Sequence, residues 1–480
     1  MSVAISGSRF VQRSIGAGLL ALFLAACGGD DTTDPEPVPP PPPSLVDITD
    51  CADAPELLCA YLEVPLDHAQ PRGETLRLAV TMQRNTDAPR GVALWLDGGP
   101  GGAGRRMLRS FGSRMPPALA EAYRWVGLDF RGTGETAIDC PTLQAETGFS
   151  DIRPGSPAAL AECIDVLGED RQFYSSSATV ADLELLRQAL GAETWVLNGI
   201  SYGTYTASAY ATTHPERVSR IVLDSPVPHT GLDSFSRPAL RMLPFVIEAH
   251  CMDEECPQDP MAVLAAAASL EPKPIELYDM LTGWNGVNPS ATALFQALQA
   301  AAVGDRSALA GLIRAYQQNT TRPGVRQFST GLHRATLCSD MIAPWGDSAT
   351  PLAGRLAALQ AAASVIDEAE FWPFDRATML DNVLIHDCLA WPPTSPGTQR
   401  RDGLLPDLPT LILAGFLDLS TPLPEAFRQE ELAPGGRLVI IDDVGHGVQG
   451  AWRGLTNTVN FLCDEPYEYP VDPEVRWESC

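Results

Sequence analysis

Short apolar runs rich in Val, Ile and Leu constrain the fold of this 480-residue chain more than any other feature. Most of them are continuous rather than alternating, which is typical of strands buried on both faces of a parallel sheet. Helical patterns separate several of the runs, as in 179–191, where leucines repeat at helical spacing and Thr179 can cap the N-terminus. Strand, helix and strand in this order predict an α/β fold with a mostly parallel sheet. The predicted strands are 75–83, 91–97, 123–129, 194–199, 220–225, 409–415 and 437–442.

The strand pattern stops after residue 228. From 229 to 400 the chain is rich in alanine and leucine at helical spacing, and the strand-like runs return only beyond it. The sequence therefore predicts a core in two pieces, 45–228 and 401–480, with a large helical cap, 229–400, inserted between them.

The N-terminal segment is predicted to lie outside the folded part. The apolar stretch Gly16–Ala26 is too short to span a bilayer and suits the centre of a signal peptide, 1–26. The stretch ends in Leu-Ala-Ala-Cys, which resembles a bacterial lipobox, so Cys27 is the expected lipid attachment site. An ordinary secretory signal with an incidental cysteine is the alternative. The acidic, proline-rich residues 27–44 predict an extended tether. We therefore expect an exported protein, anchored by its lipid to the periplasmic or cell-surface side of a bacterial membrane.

Charge and cysteine content narrow the possible partners. The chain has 33 Lys and Arg against 60 Asp and Glu, a net charge of −27, so nucleic acid, which needs a basic face, is not an expected partner. Ten cysteines besides Cys27 in an exported chain indicate disulfides, and closeness in sequence favours Cys51 with Cys59 and Cys251 with Cys256. Neither paired C-x-x-C motifs nor H-E-x-x-H is present, so no metal is expected.

A serine between two glycines is the candidate nucleophile. The apolar run 195–197 is followed by Gly199-Ile200-Ser201-Tyr202-Gly203 and then by small residues that read as a helix. A sharp turn from strand to helix lifts a serine side chain out of a sheet, and flanking glycines let the backbone turn without clashes. The helix that follows points its first amides at a developing oxyanion. Ser201 is therefore predicted to be the nucleophile.

An orienting acid and a base follow in the expected order. Asp418 comes just after one predicted strand, and His446 lies in a glycine-flanked loop after the next. Catalytic side chains gather at the carboxyl ends of such strands. A turn or cap aspartate and a surface-loop histidine are the alternative interpretations. Asp442 and Asp443 are rival acids, but they lie too close in sequence to His446 to support its ring from behind.

A glycine-rich loop, Leu94–Gly104, lies upstream and again follows a predicted strand. Bare backbone amides can approach a substrate oxygen there, so the oxyanion hole is assigned to the amide of Tyr202 and one from Gly98 or Gly99. A phosphate-binding loop is the alternative, but no G-K-[ST] follows and G-x-G-x-x-G is absent. No nucleotide or other cofactor is therefore expected.

The motifs GGPGGAG, VGLDFRGTGET, NGISYGTYTA, LDLSTP and VGHG occur in this order within 47–224 and 408–463. With them the chain resembles α/β-hydrolases of the proline iminopeptidase and tripeptidyl aminopeptidase group. The resemblance implies an α/β-hydrolase core under a cap that screens the substrate. It also implies Ser201 as nucleophile, Asp418 as orienting acid and His446 as base. The chain departs from the group at Asp97, where prolyl aminopeptidases usually have histidine.

The chemistry of acyl transfer to water does not distinguish amide from ester substrates. An aminopeptidase must bind a protonated α-amine, and Asp253, Glu254 and Glu255 near the start of the cap are candidate carboxylates, with a solvated acidic turn as the alternative. The expected function is a serine hydrolase that releases short residues from peptide N-termini. A carboxylesterase or lipase-like enzyme on a small acyl substrate is one alternative, and a non-catalytic binding lipoprotein is another. The sequence leaves the oligomeric state open.

Overall fold

The structure, a computed structural model, describes residues 42–112, 115–252, 254–284, 289–395, 403–464 and 480. The described residues form one nine-stranded sheet in the order β1-β2-β3-β5-β4-β6-β7-β8-β9. The strands are β1 (Leu45–Cys51), β2 (Ala54–Pro65), β3 (Thr75–Met82), β4 (Val92–Leu96), β5 (Arg124–Leu128), β6 (Trp195–Ile200), β7 (Val218–Asp224), β8 (Thr410–Gly415) and β9 (Gly436–Ile441).

Most of the sheet is parallel. Six neighbouring strands, from β5 through β4 to β9, pair in parallel, whereas β1, β2 and β3 add antiparallel pairs at one edge. The predicted fold class is therefore confirmed, and the predicted apolar runs coincide with β3 to β9. The sequence analysis missed β1 and β2, because β1 is largely exposed and β2 mixes buried with exposed positions, so neither has a continuous apolar run.

Both faces of the central strands are buried, which explains their continuous apolar runs. Along β4 every residue is buried. Leu94 packs into one hydrophobic cluster and Trp95 into another, since successive side chains of a strand point to opposite faces. Each large apolar side chain buried in this way contributes about 1.5–3 kcal/mol to folding. The sheet is thus a rigid support for the loops at its carboxyl edge.

Helices cover the sheet and fill the segment between β7 and β8, where the described residues form nine α-helices and no strand. The helices before β7 are α1 (Gly104–Gly112), α2 (Pro117–Ala122), α3 (Pro141–Thr147), α4 (Pro157–Leu167), α5 (Ser176–Ala189) and α6 (Tyr202–Thr213). Those between β7 and β8 are α7 (Arg237–Cys251), α8 (Pro260–Leu270), α9 (Pro274–Thr282), α10 (Ala291–Ala302), α11 (Ser307–Thr320), α12 (Thr330–Asp340), α13 (Arg355–Ser364), α14 (Arg376–Leu380) and α15 (Val383–Ala390). The last two are α16 (Leu423–Glu431) and α17 (Trp452–Leu462).

The start of α5 differs from the prediction. The helix begins at Ser176, not at Thr179, because the Ser175 hydroxyl caps it by accepting from the Ala178 amide at 3.4 Å. A serine can cap a helix as well as a threonine, and the leucine pattern alone does not choose between them. The expected N-cap at Thr179 is therefore wrong by one turn.

Five disulfides join cysteines of the described residues. Two of them, Cys51–Cys59 and Cys251–Cys256, are the pairs predicted from closeness in sequence. The other three join Cys140–Cys163, Cys338–Cys388 and Cys463–Cys480. Over the same described residues, no helix is long and apolar enough to cross a bilayer.

Candidate active site

Ser201 lies at the tip of the turn between β6 and α6. Its φ of +54° and ψ of −127° form a conformation that residues other than glycine rarely adopt, at a cost of about 1–3 kcal/mol. Two hydrogen bonds hold this strained turn. The Ser201 amide donates to the Asp224 carbonyl at 2.9 Å, and the Thr204 amide donates to the Ser201 carbonyl at 2.9 Å. The backbone therefore fixes the serine in place before any substrate binds.

Only glycine fits on the two sides of this turn. A Cβ atom on Gly199 would lie 2.5 Å from the carbonyl oxygen of Gly203, and a Cβ atom on Gly203 would lie 2.2 Å from the carbonyl oxygen of Leu96. Both distances are shorter than real Cβ contacts, and neither backbone partner has room to move. Packing of backbone against backbone thus requires a glycine two residues before and two residues after Ser201.

The loop after β4 packs directly against the serine. A Cβ atom on Gly98 would lie 2.8 Å from Ser201 Cβ. The Gly98 amide already donates to the Asp97 carboxylate at 2.8 Å, which leaves Gly99 as the better donor of the two predicted glycines. Tyr202 is the first residue of α6, so its amide has no helical carbonyl four residues before it. The amides of Gly99 and Tyr202 are the candidate oxyanion hole.

Asp97 places a carboxyl group beside this hole. Burial raises the pKa of Asp97 to about 6, although the Gly98 amide and Arg106 favour its charged form. The departure from the histidine of prolyl aminopeptidases therefore has a local consequence. The Asp97 carboxyl group accepts the Gly98 amide, so this amide is no longer free to donate to a substrate oxygen.

His446 and Asp418 form a hydrogen-bonded pair at the ends of β9 and β8. His446 Nδ1 lies 2.8 Å from Asp418 Oδ2. Asp418 is 2% exposed, and its carboxylate also accepts from the Ser420 amide at 2.8 Å, the Thr421 amide at 3.0 Å and the Thr421 hydroxyl at 2.7 Å. A neutral His446 therefore carries its proton on Nδ1, which makes Nε2 the proton acceptor.

Each member of the pair shifts the pKa of the other towards its charged form. Partial burial opposes the charged form of His446, whose side chain is 35% exposed, but the Asp418 carboxylate raises its pKa to about 9, helped by Asp224 and Asp151. The imidazole and the donors of Thr421 in turn hold the pKa of Asp418 below its usual range. In the resting protein the base is thus mostly protonated at neutral pH, and its reactivity should increase as the pH rises.

The rival acids lie outside this arrangement. Asp442 is exposed, and Asp443 is an exposed partner of Arg453, whose Nη1 lies 3.0 Å from the Asp443 carboxylate.

Among the described residues, no group of three or more His, Cys, Asp or Glu side chains is arranged to hold a metal ion.

Ser201, Asp418 and His446 all line one cavity of about 540 Å³. Loops at the carboxyl ends of β4, β6, β8 and β9 form one side of it, and we call this the core side. The opposite side, which we call the cap side, is formed by residues 149–152 and by the helices between β7 and β8. Its aromatic lining comprises Phe149, Tyr278, Trp284, Tyr316 and Phe328. The volume and lining suit a short peptide or a small acyl group.

Two carboxylates meet on the cap side. The Ser150 hydroxyl donates to Asp279 Oδ1 at 2.6 Å, which brings the neighbouring Asp151 close to Asp279. Asp279 is 1% exposed, and its Oδ2 accepts no hydrogen bond from the described residues, with Arg153 Nη1 4.0 Å away. Burial raises the pKa of Asp279 to about 6, and the charge of Asp151 adds to the shift. Asp279 is thus a buried acid whose second oxygen lacks a donor.

Buried side chains orient the Asp151 carboxylate. Arg334 donates to Asp387 at 2.7 Å and also contacts His333 Nδ1. Because arginine only donates, His333 accepts at Nδ1 and donates from Nε2 to Asp151 Oδ1 at 2.9 Å. Burial lowers the pKa of His333, which favours this neutral form. Asp151 is therefore held on one side while its carboxylate remains 46% exposed.

The acidic run predicted to bind an amine lies elsewhere. Glu254 accepts from the Thr292 amide at 2.7 Å and so caps the first turn of α10, while Glu255 is exposed, and neither residue lines the cavity. Asp253 lies outside the described residues, as do Cys27 and the predicted signal peptide. The sequence analysis missed Asp151 and Asp279 because they are distant in sequence and belong to no motif.

Comparison with known proteins agrees with this geometry. Residues 94–248, which include Ser201 but neither Asp418 nor His446, match the family model for the alpha/beta hydrolase fold. A tripeptidyl aminopeptidase of Streptomyces coelicolor is 36% identical over 205 residues, 38% of this chain and 38% of that protein. The serine protease Hip1 of Mycobacterium tuberculosis is 31% identical over 186 residues, 35% of this chain and 36% of that protein.

The chain thus matches less than two fifths of the length of these curated relatives. Among solved structures, a serine hydrolase from Cycloclasticus zankles matches with a TM-score of 0.38 at 15% identity, covering 85% of this chain and 98% of that one. The match of residues 94–248 to the family model and the order of strands in the sheet show that this chain has the α/β-hydrolase fold.

Proposed function

We propose that the chain is a serine hydrolase that works through an acyl-enzyme. The observation that carries the proposal is the convergence of a strained serine, two candidate oxyanion donors and a histidine–aspartate pair on one cavity. Neutral His446 takes the proton of Ser201 Oγ at Nε2 while Oγ attacks the substrate carbonyl carbon. The amides of Gly99 and Tyr202 stabilise the oxyanion that develops.

The second half of the reaction uses the same groups. Protonated His446 gives its proton to the leaving group, which departs and leaves the acyl group on Ser201. A water molecule, deprotonated by His446, then attacks the ester, and the same proton returns to Ser201 as the acid product leaves. Asp418 stays ionised throughout and stabilises the imidazolium, in agreement with its lowered pKa.

Within this class we propose an aminopeptidase that releases short residues from peptide N-termini. Two curated relatives are named as a tripeptidyl aminopeptidase and a serine protease, which favours amide substrates. The charge of the cavity is a second support. Six carboxylic acids line it, against one arginine: Asp97, Asp151, Asp233, Asp279, Asp418 and Glu425. An excess of negative charge favours a cationic group such as a peptide N-terminus.

The cap side supplies the best partner for that ammonium group. Asp233 is already paired with Arg237, whose Nε lies 2.9 Å from it, and Asp418 is paired with His446. Asp279 has an oxygen without a donor, and Asp151 beside it has an exposed carboxylate. An ammonium bound to the exposed Asp151 carboxylate would also lower the cost of the buried Asp279 charge and neutralise the excess charge of the cavity. We therefore assign the amine to Asp151 and Asp279, in place of Glu254 and Glu255.

A carboxylesterase is the second candidate, and the aromatic lining of the cap side is the observation that favours it. Phenyl and indole faces bind an acyl chain as readily as a peptide side chain. An esterase needs no ammonium site, so its rate on an ester should not depend on the charge of Asp279. The two functions therefore differ in how they depend on a substrate amine.

A substrate panel on purified protein separates the two. We expect turnover of aminoacyl or tripeptidyl arylamides with a free amine, and a reduction of kcat/KM by at least about tenfold, or about 1.4 kcal/mol, when the same arylamide is N-acetylated. Simple acyl esters should be poor substrates, and the Ser201→Ala variant serves as the blank. Equal rates for the free and acetylated forms would reject amine recognition and leave the esterase. Absence of turnover on every arylamide and ester would favour the non-catalytic lipoprotein.

We also propose that the mature protein is exported and anchored to a bacterial membrane by lipid on Cys27. The lipobox-like sequence before Cys27 and the acidic, proline-rich tether after it support this. One acyl chain binds a membrane only marginally, so stable anchoring needs the multiple acylation that the lipobox implies. The measurement is the distribution between membrane and soluble fractions. Cys27→Ser should move the protein to the soluble fraction, and its retention in the membrane would indicate another anchor.

A further inference from the structure

Asp224, the last residue of β7, contacts the two chain segments that carry the proposed nucleophile and base. It is fully buried, and neither the acid–base pair nor the oxyanion hole includes it. We propose that Asp224 is a positioning residue that fixes Ser201 and His446 relative to each other. The proposal rests on the serine-hydrolase function inferred above and assigns a role that the motifs do not contain.

The first contact is with the nucleophile. The main-chain carbonyl of Asp224 accepts the Ser201 amide at 2.9 Å. This bond extends the parallel pairing of β6 with β7 by one residue into the strained turn. The position of Ser201 thus depends on the end of β7.

The second contact is with the loop that carries the base. Asp224 Oδ1 accepts the Val448 amide at 2.8 Å, and Oδ2 accepts the Gln449 amide at 2.9 Å. The Ser225 hydroxyl accepts the Gly447 amide at 2.9 Å. The three amides that directly follow His446 are therefore all bound by Asp224 and Ser225. A buried carboxylate is well suited to hold successive amides at the start of a helical turn.

A buried amide pair completes the link. Gln449 Nε2 donates to Asn198 Oδ1 at 2.9 Å, and Asn198 Nδ2 donates to Gln449 Oε1 at 3.1 Å. Gln449 Nε2 also lies 3.3 Å from Asp224 Oδ2. Asn198 stands on β6 three residues before Ser201, so the loop of His446 is tied to the strand of the nucleophile by a second route.

Loss of this support should reduce the rate and leave substrate binding intact. A displacement of about 1 Å between reacting groups can cost on the order of 10²-fold in rate. In Asp224→Asn the side-chain shape is kept, but one of its two acceptor oxygens becomes an NH₂ group that faces the Gln449 or Val448 amide. We therefore expect kcat to fall at least about tenfold with KM unchanged, because the groups that bind substrate are not altered.

The test measures the rate constant of fluorophosphonate labelling, kcat per labelled site and thermal unfolding for wild type, Asp224→Asn and Asp182→Asn. Asp182 is an equally buried carboxylate that binds Arg131, and neither residue lines the cavity, so its variant controls for loss of stability alone. We expect both rates to fall together in Asp224→Asn, while the Asp182→Asn protein that remains folded reacts like wild type.

The outcomes distinguish failure of the proposed function from failure of the role assigned to Asp224. If wild type is neither labelled nor active, the proposed function fails. If wild type is labelled and Asp224→Asn reacts at the same rate per site, with only a lower unfolding temperature, Asp224 is merely structural and the inference is overturned. Should Asp224→Asn not fold, Ser225→Ala decides instead, since it removes the hydroxyl that accepts the Gly447 amide and donates to Asp224 Oδ1 at 3.2 Å, and it leaves the carboxylate in place. An unchanged labelling rate and kcat in Ser225→Ala would equally overturn the inference.

Discussion

The core side and the cap side of the cavity are built in different ways. On the core side, Ser201, Asp418 and His446 follow directly after the parallel strands β6, β8 and β9, and the sheet brings them together. On the cap side, Asp151 and Asp279 come from a loop and a helix that are distant in sequence and are joined by the hydrogen bond from Ser150 to Asp279. Strand ends fix a side chain through the backbone, whereas the cap relies on contacts between distant segments.

The two sides also differ in how well their polar groups are satisfied. The Asp418 carboxylate accepts four hydrogen bonds, including the one from His446. Asp279 accepts one, from Ser150, and its other oxygen has no donor among the described residues. An unpaired buried carboxylate oxygen costs free energy, and a cation bound nearby reduces the cost of its charge. Under the proposed function, the core side is thus organised for catalysis before substrate binds, whereas the cap side gains a partner for its charge only when substrate binds.

The largest effect should come from the core side. Ser201→Ala removes the nucleophile, so turnover should fall by several powers of ten, as is typical for a nucleophile of this kind. The fold should survive, because the turn is held by backbone hydrogen bonds that alanine keeps. The measurement is turnover of an arylamide together with thermal unfolding. A variant with full activity would show that another residue attacks the substrate.

Asp418→Asn should follow, with turnover reduced by about 10⁴-fold because the imidazole loses its fixed tautomer. The exposed Asp443→Asn is the matched control and should have wild-type activity. The comparison of kcat for the two variants on one substrate checks the assignment. If Asp443→Asn were inactive and Asp418→Asn active, the acid would be misassigned.

The pH dependence tests the same pair without mutation. His446 acts as a base only when neutral, and its pKa is raised to about 9. The neutral fraction therefore grows with pH, and the rate constant of labelling by a fluorophosphonate, which has no amine to titrate, should rise at least about tenfold between pH 7 and pH 9. In Asp418→Asn the residual activity should level off at lower pH, because the carboxylate that raises the pKa is gone. A wild-type profile that is flat over this range would contradict the assigned electrostatics.

On the cap side, Asp279→Asn should affect only substrates with a free amine. Asparagine can still accept from Ser150 but has no charge for an ammonium, so kcat/KM for the free arylamide should fall about tenfold, or about 1.4 kcal/mol. The rate for the N-acetylated form should be nearly unchanged. Glu255→Gln, an exposed acid outside the cavity, is the control. An equal loss on both substrates would mean that Asp279 supports the fold and not the amine.

The smallest effect should come from Glu254→Gln. Glu254 caps α10 through the Thr292 amide, and helix caps contribute to stability and not to distant chemistry. Activity should match wild type, with a slight decrease in the unfolding temperature. A selective loss on free-amine substrates would return the amine site to the acidic run at the start of the cap.

The difference between the two sides also explains what the sequence predicted. The turn around Ser201 could be predicted because backbone contacts leave room only for glycine at Gly199 and Gly203. The turn therefore has a recognisable sequence motif. Asp418 and His446 were predictable because each follows a continuous apolar run. Asp279 and Asp151 belong to no sequence motif, since they are distant in sequence and a hydrogen bond between α9 and the loop after α3 brings them together.

Two features of the structure were not apparent from the sequence for the same reason. The acidic run near Glu254 looked suited to an amine, but its charge is used at a helix N-terminus that was not apparent from local spacing. Asp224 lies within the predicted strand 220–225, and its contacts were not apparent because its partners, Val448 and Gln449, are brought to it by the parallel sheet. Local sequence patterns do not show the long-range hydrogen bonds that acidic side chains make in the folded chain.

Covalent labelling of the protein with a fluorophosphonate, followed by peptide mapping with mass spectrometry, tests whether Ser201 is the nucleophile. We predict a single adduct on Ser201, formed faster as the pH rises towards 9, and no adduct in Ser201→Ala. A label on another serine, or full arylamide turnover by protein whose Ser201 is blocked, would contradict it.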